Sequence, residues 1–371
     1  MWKYDIRGPI GNLCLTFICL TIIFGVGELG LRVIGSEELR KLESWRQVTF
    51  QPSLNPDIRY EFVPGASGYI WGTQAEINAR GYRGRMGAPG FFPGFRILVL
   101  GDSITFGTFL PLEATYAYQM QEILDKSASE YEVLNFGVGG YDILQELALL
   151  ESRGLTYKPD LVVVGFCLND AGIGGPNIEY VERIKQYKSN LLLRSSRLAQ
   201  LIINRIDRIR LRLWMWEKNR LEVFAKDHEG RIIPIGEDER ELHELIRKVP
   251  EDHPSNLYRD EPRVGRLRYA FARLATLAER EQFSVVVLIF PWLVGHANSY
   301  PHQLAHEIVK LEARRAGLDT LEVLQDFMDA GMDSLRIKKT DLIHPNERGH
   351  RIVAEKLVRY VHGKRQPTIS K

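Results

Sequence analysis

The run Phe95-Arg-Ile-Leu-Val-Leu-Gly-Asp-Ser103-Ile-Thr-Phe-Gly107 constrains the chain more than any other stretch. Its apolar, β-branched first half has the pattern of a buried strand. Gly-Asp-Ser then supplies a turn, which places Ser103 at the carboxyl end of that strand, just before a helix. Open α/β sheets present their reactive groups there. Ser103 is a candidate nucleophile if a base can reach it. Taken alone, it would serve equally well as a helix cap.

Similar runs recur along the chain. Tyr131 to Phe136 ends in Gly137-Val-Gly-Gly140, and Asp160 to Phe166 ends in Cys167-Leu-Asn169-Asp170. Ser284 to Phe290 and Asp319 to Leu324 follow later. Helical segments over about 115–126, 142–153, 263–281, 302–316 and 345–362 separate or follow these runs. In the last of them, Pro345 suits a first helical position and Val353, Leu357 and Val361 form an apolar face. Apolar strands alternating with helices imply a parallel sheet covered on both faces. A chain of 371 residues, 44% hydrophobic, can bury such a core.

The expected organisation is an anchor over 1–30, a linker and irregular lead-in over 31–94, an α/β domain over 95–362 and a tail over 363–371. Within the lead-in, Asn78 to Gly84 reads as a surface turn cluster. An insertion over about 174–262 interrupts the domain. It holds a long helical stretch, about 181–224, with Leu198, Ile202, Ile206, Ile209, Leu213 and Trp216 on one stripe. Basic residues crowd positions 194–218. This reads foremost as a cap helix packed on the sheet; a helix lying on an anionic membrane surface is the alternative. Residues 228–262 read as polar and loop-rich.

The N-terminus carries about eighteen uncharged residues from Ile10 to Gly27, enough to span a bilayer. Trp2 and Tyr4 precede them as interface aromatics, and Lys3 and Arg7 lie on the same side. The positive-inside bias gives a single-pass anchor in the inner membrane, with the body outside the cytoplasm in the periplasm. A cleaved signal peptide is the alternative, although no Ala-x-Ala-like site follows. Lys+Arg 49 against Asp+Glu 47, a net charge of +2, gives no reason to expect nucleic acid as a partner. Cys14 and Cys19 lie in the apolar run and Cys167 stands alone in the body, so the body has no disulfide framework.

A serine nucleophile needs a base, an orienter for that base and donors for the oxyanion. Asp341-x-x-His344 can supply the first two, with His344 taking the Ser103 proton and Asp341 holding the imidazole. Gly140 and Asn169 end strands of the same sheet. A glycine lets substrate approach a backbone N–H, and an asparagine side chain offers NH₂ donors. Each of these residues, taken singly, would pass as an ordinary turn or cap residue. His302-Gln-Leu-Ala-His306 imitates a zinc motif but lacks the glutamate that would act as base, so no metal is expected there.

Together, Gly101-Asp102-Ser103, Asn135-x-Gly-Val-Gly-Gly140, Asn169-Asp170 and Asp341-x-x-His344 resemble, in order, the four blocks of the SGNH (GDSL-type) hydrolase superfamily. The resemblance covers about residues 95–362 apart from the insertion. It implies a three-layer, flavodoxin-like α/β/α fold. It implies Ser103 as nucleophile, His344 as base and Asp341 as its partner, with an oxyanion hole from the Ser103 and Gly140 N–H groups and the Asn169 side chain. It implies ester hydrolysis through an acyl-enzyme, without metal or cofactor. Cys167 stands where the family usually has glycine. The anchored layout looks like that of membrane-bound members associated with envelope polysaccharides. The expected substrate is therefore an O-acyl, foremost O-acetyl, glycan or a lipid-like ester outside the cytoplasmic membrane. An O-acyltransferase with the same triad, and a non-catalytic membrane-tethered scaffold, are the alternatives.

Overall fold

The computed structural model describes residues 9–34, 49–127, 129–172, 195–199, 201–202, 205–206, 229–236, 239–249, 258–295 and 300–365. Most of the expected long helix of the insertion, and the end of the tail, lie outside the described residues.

Helix α1 (Pro9–Ile34) opens the chain. Within it, Gly11–Val33 has a mean hydropathy of 2.1 and is unburied, so it is long and apolar enough to cross a membrane. Near its end, Glu28 accepts hydrogen bonds from the backbone N–H groups of Arg197 and Leu198 and from the Ser196 hydroxyl. The end of α1 is thereby tied to the insertion.

The region expected to be an irregular lead-in contains two antiparallel pairs. Strand β1 (Phe50–Pro52) pairs with β2 (Tyr60–Phe62), and β3 (Ser67–Ile70) with β4 (Thr73–Glu76). Phe50, Tyr60, Phe62, Ile70, Ile77 and Tyr82 from this segment belong to the main hydrophobic core. The Asn78 to Gly84 cluster is likewise not confined to the surface, since Tyr82 and Arg83 are buried.

The α/β body begins with β5 (Phe95–Gly101). There follow the short helix α2 (Ser103–Phe106), α3 (Tyr116–Leu124), β6 (Tyr131–Asn135), α4 (Ile143–Ser152) and β7 (Leu161–Cys167). Helix α5 (Arg240–Lys248) lies in the stretch expected to be loop-rich. Then come α6 (Glu261–Glu281), β8 (Ser284–Phe290), α7 (Gln303–Arg315), β9 (Asp319–Glu322), α8 (Leu324–Ala330) and α9 (Glu347–Arg365).

The five strands β5 to β9 form one parallel sheet in the order β6-β5-β7-β8-β9. Counted from its own first strand this is the 2-1-3-4-5 order of a doubly wound, flavodoxin-like sheet. Strand alternation divides the core in two. Leu98, Leu100, Val162, Val164, Val287 and Ile289 face the side covered by α4, α6 and α7. Ile97, Val99, Val163, Val286 and Leu288 face the side covered by α3, α8 and α9, where Val353, Leu357 and Val361 pack. The result is a three-layer α/β/α fold.

Two buried arginines stitch the lead-in to this body. Arg96 pairs with Glu132 at 2.5 Å and donates to the carbonyls of Gly90 and Tyr157. Arg83 donates to the carbonyls of Phe106, Gly107 and Leu110 at 2.7–3.0 Å. Those carbonyls lie at and just beyond the end of α2, where a cation is favoured. Burial lowers the Arg83 pKa to about 10, against the pull of Glu113, which leaves it charged at neutral pH.

Replacing Arg83 by Met keeps the side-chain length and strips these carbonyls of their donor. Hydrogen bonds to charged groups contribute about 1.5–3 kcal/mol each, so Arg83→Met is expected to lower unfolding free energy by at least about 2 kcal/mol. A denaturation midpoint equal to wild type would show that the lead-in does not support α2.

Candidate active site

The crevice opens at the carboxyl ends of β5 and β7, where strand order reverses and open sheets bind ligands. Two glycines let it form. A Cβ on Gly101 (φ +150°) would lie 2.0 Å from Thr105 Oγ1 and 2.9 Å from the Gly165 carbonyl. A Cβ on Gly165 would lie 2.6 Å from Thr105 Oγ1 and 2.7 Å from the Tyr116 hydroxyl. With both absent, α2 settles onto the strand ends and carries Ser103 at its first position. Asp102 caps α2 by accepting the Ile104 N–H at 2.9 Å.

Ser103 Oγ lies 2.9 Å from His344 Nε2. It also lies 3.2 Å from Asp102 Oδ2. The hydroxyl has one proton, and the shorter contact directs it to the imidazole. On the far side of the ring, Nδ1 lies 2.9 Å from Asp341 Oδ2 and 3.1 Å from Oδ1. This arrangement assigns the proton to Nδ1 and leaves Nε2 as acceptor. Asp341 Oδ1 also accepts the backbone N–H groups of Ile343 and His344. Burial pushes the Asp341 carboxyl up, but the ring and backbone donors of His344 and the Ile343 N–H outweigh it and hold its pKa at about 2. The carboxylate therefore stays charged at any ordinary pH.

Gly140 sits at φ +80°, where a glycine is at ease. Asn169 follows β7, and its Nδ2 donates to Asp102 Oδ2 at 3.3 Å and to Asp170 Oδ1 at 3.4 Å. Both contacts are long, and Asn169 Oδ1 is buried with no hydrogen-bond partner among the described residues. Cys167 has φ −95° and ψ 150°, extended backbone that any residue adopts, so the missing family glycine causes no strain. Burial pushes its thiol pKa well up, so it is a neutral packing group. Asp170, which accepts the Cys167 N–H at 2.6 Å, is also pushed up, first by burial and then by the charges of Asp102 and Glu146.

The sequence pattern did not single out several neighbours of the site. Phe109, at the unusual φ of +66°, stands edge-on to the His344 ring at 5.9 Å. The Lys338 ammonium lies 4.0 Å from the centre of the Phe109 ring. The Phe109 N–H donates to the Trp71 carbonyl at 3.0 Å. Asp102 touches both Ser103 and Asn169, and its place inside Gly-Asp-Ser was the one available signal. The His302/His306 pair is used otherwise: His306 is fully buried, with Nδ1 2.6 Å from Glu322 and Nε2 3.3 Å from the Tyr300 hydroxyl.

Residues 99–352 match the GDSL-like Lipase/Acylhydrolase family, a span of well over half the chain. The chain belongs to that family, the SGNH hydrolases. It is an ester-bond hydrolase. A search of curated proteins returns no match. Similar solved structures include an acetyl xylan esterase, 18% identical, covering 72% of this chain and 100% of that one at a TM-score of 0.40. A lipase/acylhydrolase from Enterococcus faecalis is 15% identical, covering 74% and 100% at 0.40. An acetylxylan esterase from Geobacillus stearothermophilus is 15% identical, covering 72% and 94% at 0.39.

A second histidine of this SGNH hydrolase lies close by. His350 is buried, and its Nδ1 accepts the Tyr116 N–H at 3.0 Å. Burial, with the charges of His344 and Arg83, lowers its pKa from 6.5 to about 3. Below pH 6.5 the unfolded chain binds a proton here that the folded chain refuses until about pH 3. This contribution to stability is complete above pH 6.5 and is lost as pH falls toward 3, by up to about 1.4 kcal/mol per pH unit. His350→Gln keeps an acceptor and removes the titration. Unfolding free energies measured from pH 7 to pH 4 should fall more steeply for wild type than for this variant; parallel curves would refute the assignment.

Proposed function

We propose that Ser103, His344 and Asp341 are the catalytic triad of this esterase. The observation that carries the reading is the continuous contact from Asp341 through His344 to Ser103 Oγ, at 2.9 Å on each side of the ring. His344 Nε2 takes the hydroxyl proton as Oγ attacks the ester carbonyl. The tetrahedral oxyanion is met by the Ser103 and Gly140 N–H groups and by Asn169 Nδ2, which gives up its long contact to Asp102. Collapse expels the alcohol, protonated by His344, and leaves an acyl-serine. Water, deprotonated by the same imidazole, attacks that acyl group and releases the carboxylic acid. Asp341 holds the ring and stabilises the imidazolium without itself becoming protonated.

The substrate we propose is an O-acyl, foremost O-acetyl, glycan or a lipid-like ester on the outer side of the cytoplasmic membrane. The apolar span of α1, with Lys3 and Arg7 before it, supports an N-terminal anchor and an extracytoplasmic body.

Full-length protein in detergent should cleave p-nitrophenyl acetate, and the profile over longer acyl chains reports pocket depth. Ser103→Ala and His344→Ala should lose about 10⁴-fold or more in kcat, and Asp341→Asn about 10³–10⁴-fold. A Ser103→Ala enzyme with wild-type turnover would sink the proposal.

Asp341 stays ionised down to about pH 2, so the acid limb of kcat/KM should not report this carboxylate. An acid limb centred near pH 2 would assign the base to the carboxylate instead.

A further inference from the structure

The Gly140 N–H belongs to the peptide that joins Gly139 to Gly140. That peptide is flanked by two glycines, so neither Cβ resists rotation of its plane. Among the described residues there are no cis peptide bonds, and in a trans peptide the C=O and N–H point opposite ways. With Gly140 read as an oxyanion donor, a flip of this one plane would turn its N–H away from the substrate. Whatever holds the Gly139 carbonyl therefore holds the Gly140 donor.

The Tyr60 hydroxyl does so. It donates to the Gly139 carbonyl at 2.5 Å, and Tyr60 is only 1% exposed. The Tyr60 ring is edge-on to Tyr141 at 5.2 Å. The Tyr141 hydroxyl donates back to the Tyr60 carbonyl. Burial pushes the Tyr141 phenol well up, so it remains a donor at any working pH. Trp71 closes the other side: a Cβ on Gly139 would lie 2.8–2.9 Å from three indole carbons. The indole is itself wedged against Phe50 and Phe106 at 4.9 Å. The peptide is thus held at its carbonyl by Tyr60 and packed at the Gly139 Cα by Trp71, two lead-in residues that precede the family match.

We propose that Tyr60 is a positioning residue for ester hydrolysis, acting through the Gly139–Gly140 peptide. Its hydroxyl fixes the direction of the Gly140 N–H. By drawing on the carbonyl it also makes that N–H a stronger donor, as hydrogen bonds in series polarise one another. This rests on the reading of Gly140 as an oxyanion donor.

Tyr60→Phe removes the hydroxyl and keeps the ring. Deleting one oxyanion donor outright costs about 10²–10³-fold in kcat. Misaligning one should cost about 10–100-fold, with KM for p-nitrophenyl acetate changed less than about threefold. Rates are taken per active serine, titrated with a fluorophosphonate, so that unfolded protein does not count. Binding of phenylboronic acid, whose serine adduct is tetrahedral, should weaken by a similar factor to kcat. A merely structural role would lower the melting temperature and the titrated fraction and leave kcat per site unchanged, which overturns the proposal.

Asn169→Ala separates the two layers of the argument. If it loses kcat and Tyr60→Phe does not, the positioning role fails and the oxyanion reading stands. If neither variant changes kcat or boronate binding, the oxyanion reading fails and takes the proposal with it. Should Tyr60→Phe not fold, Tyr141→Phe loosens Tyr60 from behind. It should likewise lose kcat alone, but less, about three- to tenfold, and an unchanged kcat per site would again overturn the role.

Discussion

No side chain fits between the carboxyl ends of β5 and β7. Gly101 and Gly165 face each other across that gap, and any Cβ there would strike Thr105, Tyr116 or the opposite backbone. Close packing is unforgiving of added volume. The depth to which α2 settles depends on that gap, and Ser103 rides on its first turn. Thr105, whose hydroxyl meets Tyr116 at 2.7 Å, anchors the underside, and the Asn135 side chain takes its carbonyl at 2.9 Å. The position of Ser103 is thus a consequence of what two adjacent strands leave out.

The lead-in is the other half of the same arrangement. Phe50, Phe62, Trp71 and Phe106 meet at ring-centroid distances of 4.9–5.7 Å, so the apolar side of α2 is buried against β1, β2 and the β3–β4 turn. Arg83 secures the end of α2 from the same segment. The strand-end crevice has a floor built by the sheet and a wall built by chain that comes before it. The two meet at Phe109, whose N–H is held by Trp71 and whose ring edges His344.

The sheet was legible because β5, β7 and β8 are long, mainly apolar runs bounded by turn residues and buried along almost their whole length, whereas β9 at the edge is only half-buried. The meeting of Ser103 with His344 and Asp341 was legible for a similar reason. Asp341 and His344 are three residues apart in one loop, and Ser103 comes two residues after a strand that cannot be mistaken. The lead-in was not legible because its strands have only three or four residues, too short for a period to show. What organises it is long-range: Tyr60 reaches Gly139, and Gln145 reaches the Ile58 carbonyl. The helix over Arg240–Lys248 was hidden by its composition, since only Leu242 and Ile246 are buried. Asn169 was singled out by its place just after a strand, yet no pattern shows that its amide rests on Asp102 and Asp170.

The hydroxyl of Tyr60 joins the lead-in to the loop that carries Gly140. Coupling between two sites runs equally in both directions. If the hydroxyl strengthens the hold of Gly140 on a developing oxyanion, the oxyanion must strengthen the hold of Gly139 on the hydroxyl. The charge that appears for an instant on the substrate would then be felt in a hairpin laid down well before Ser103. On that reading the wall of the crevice grips the body most tightly while the tetrahedral oxyanion stands.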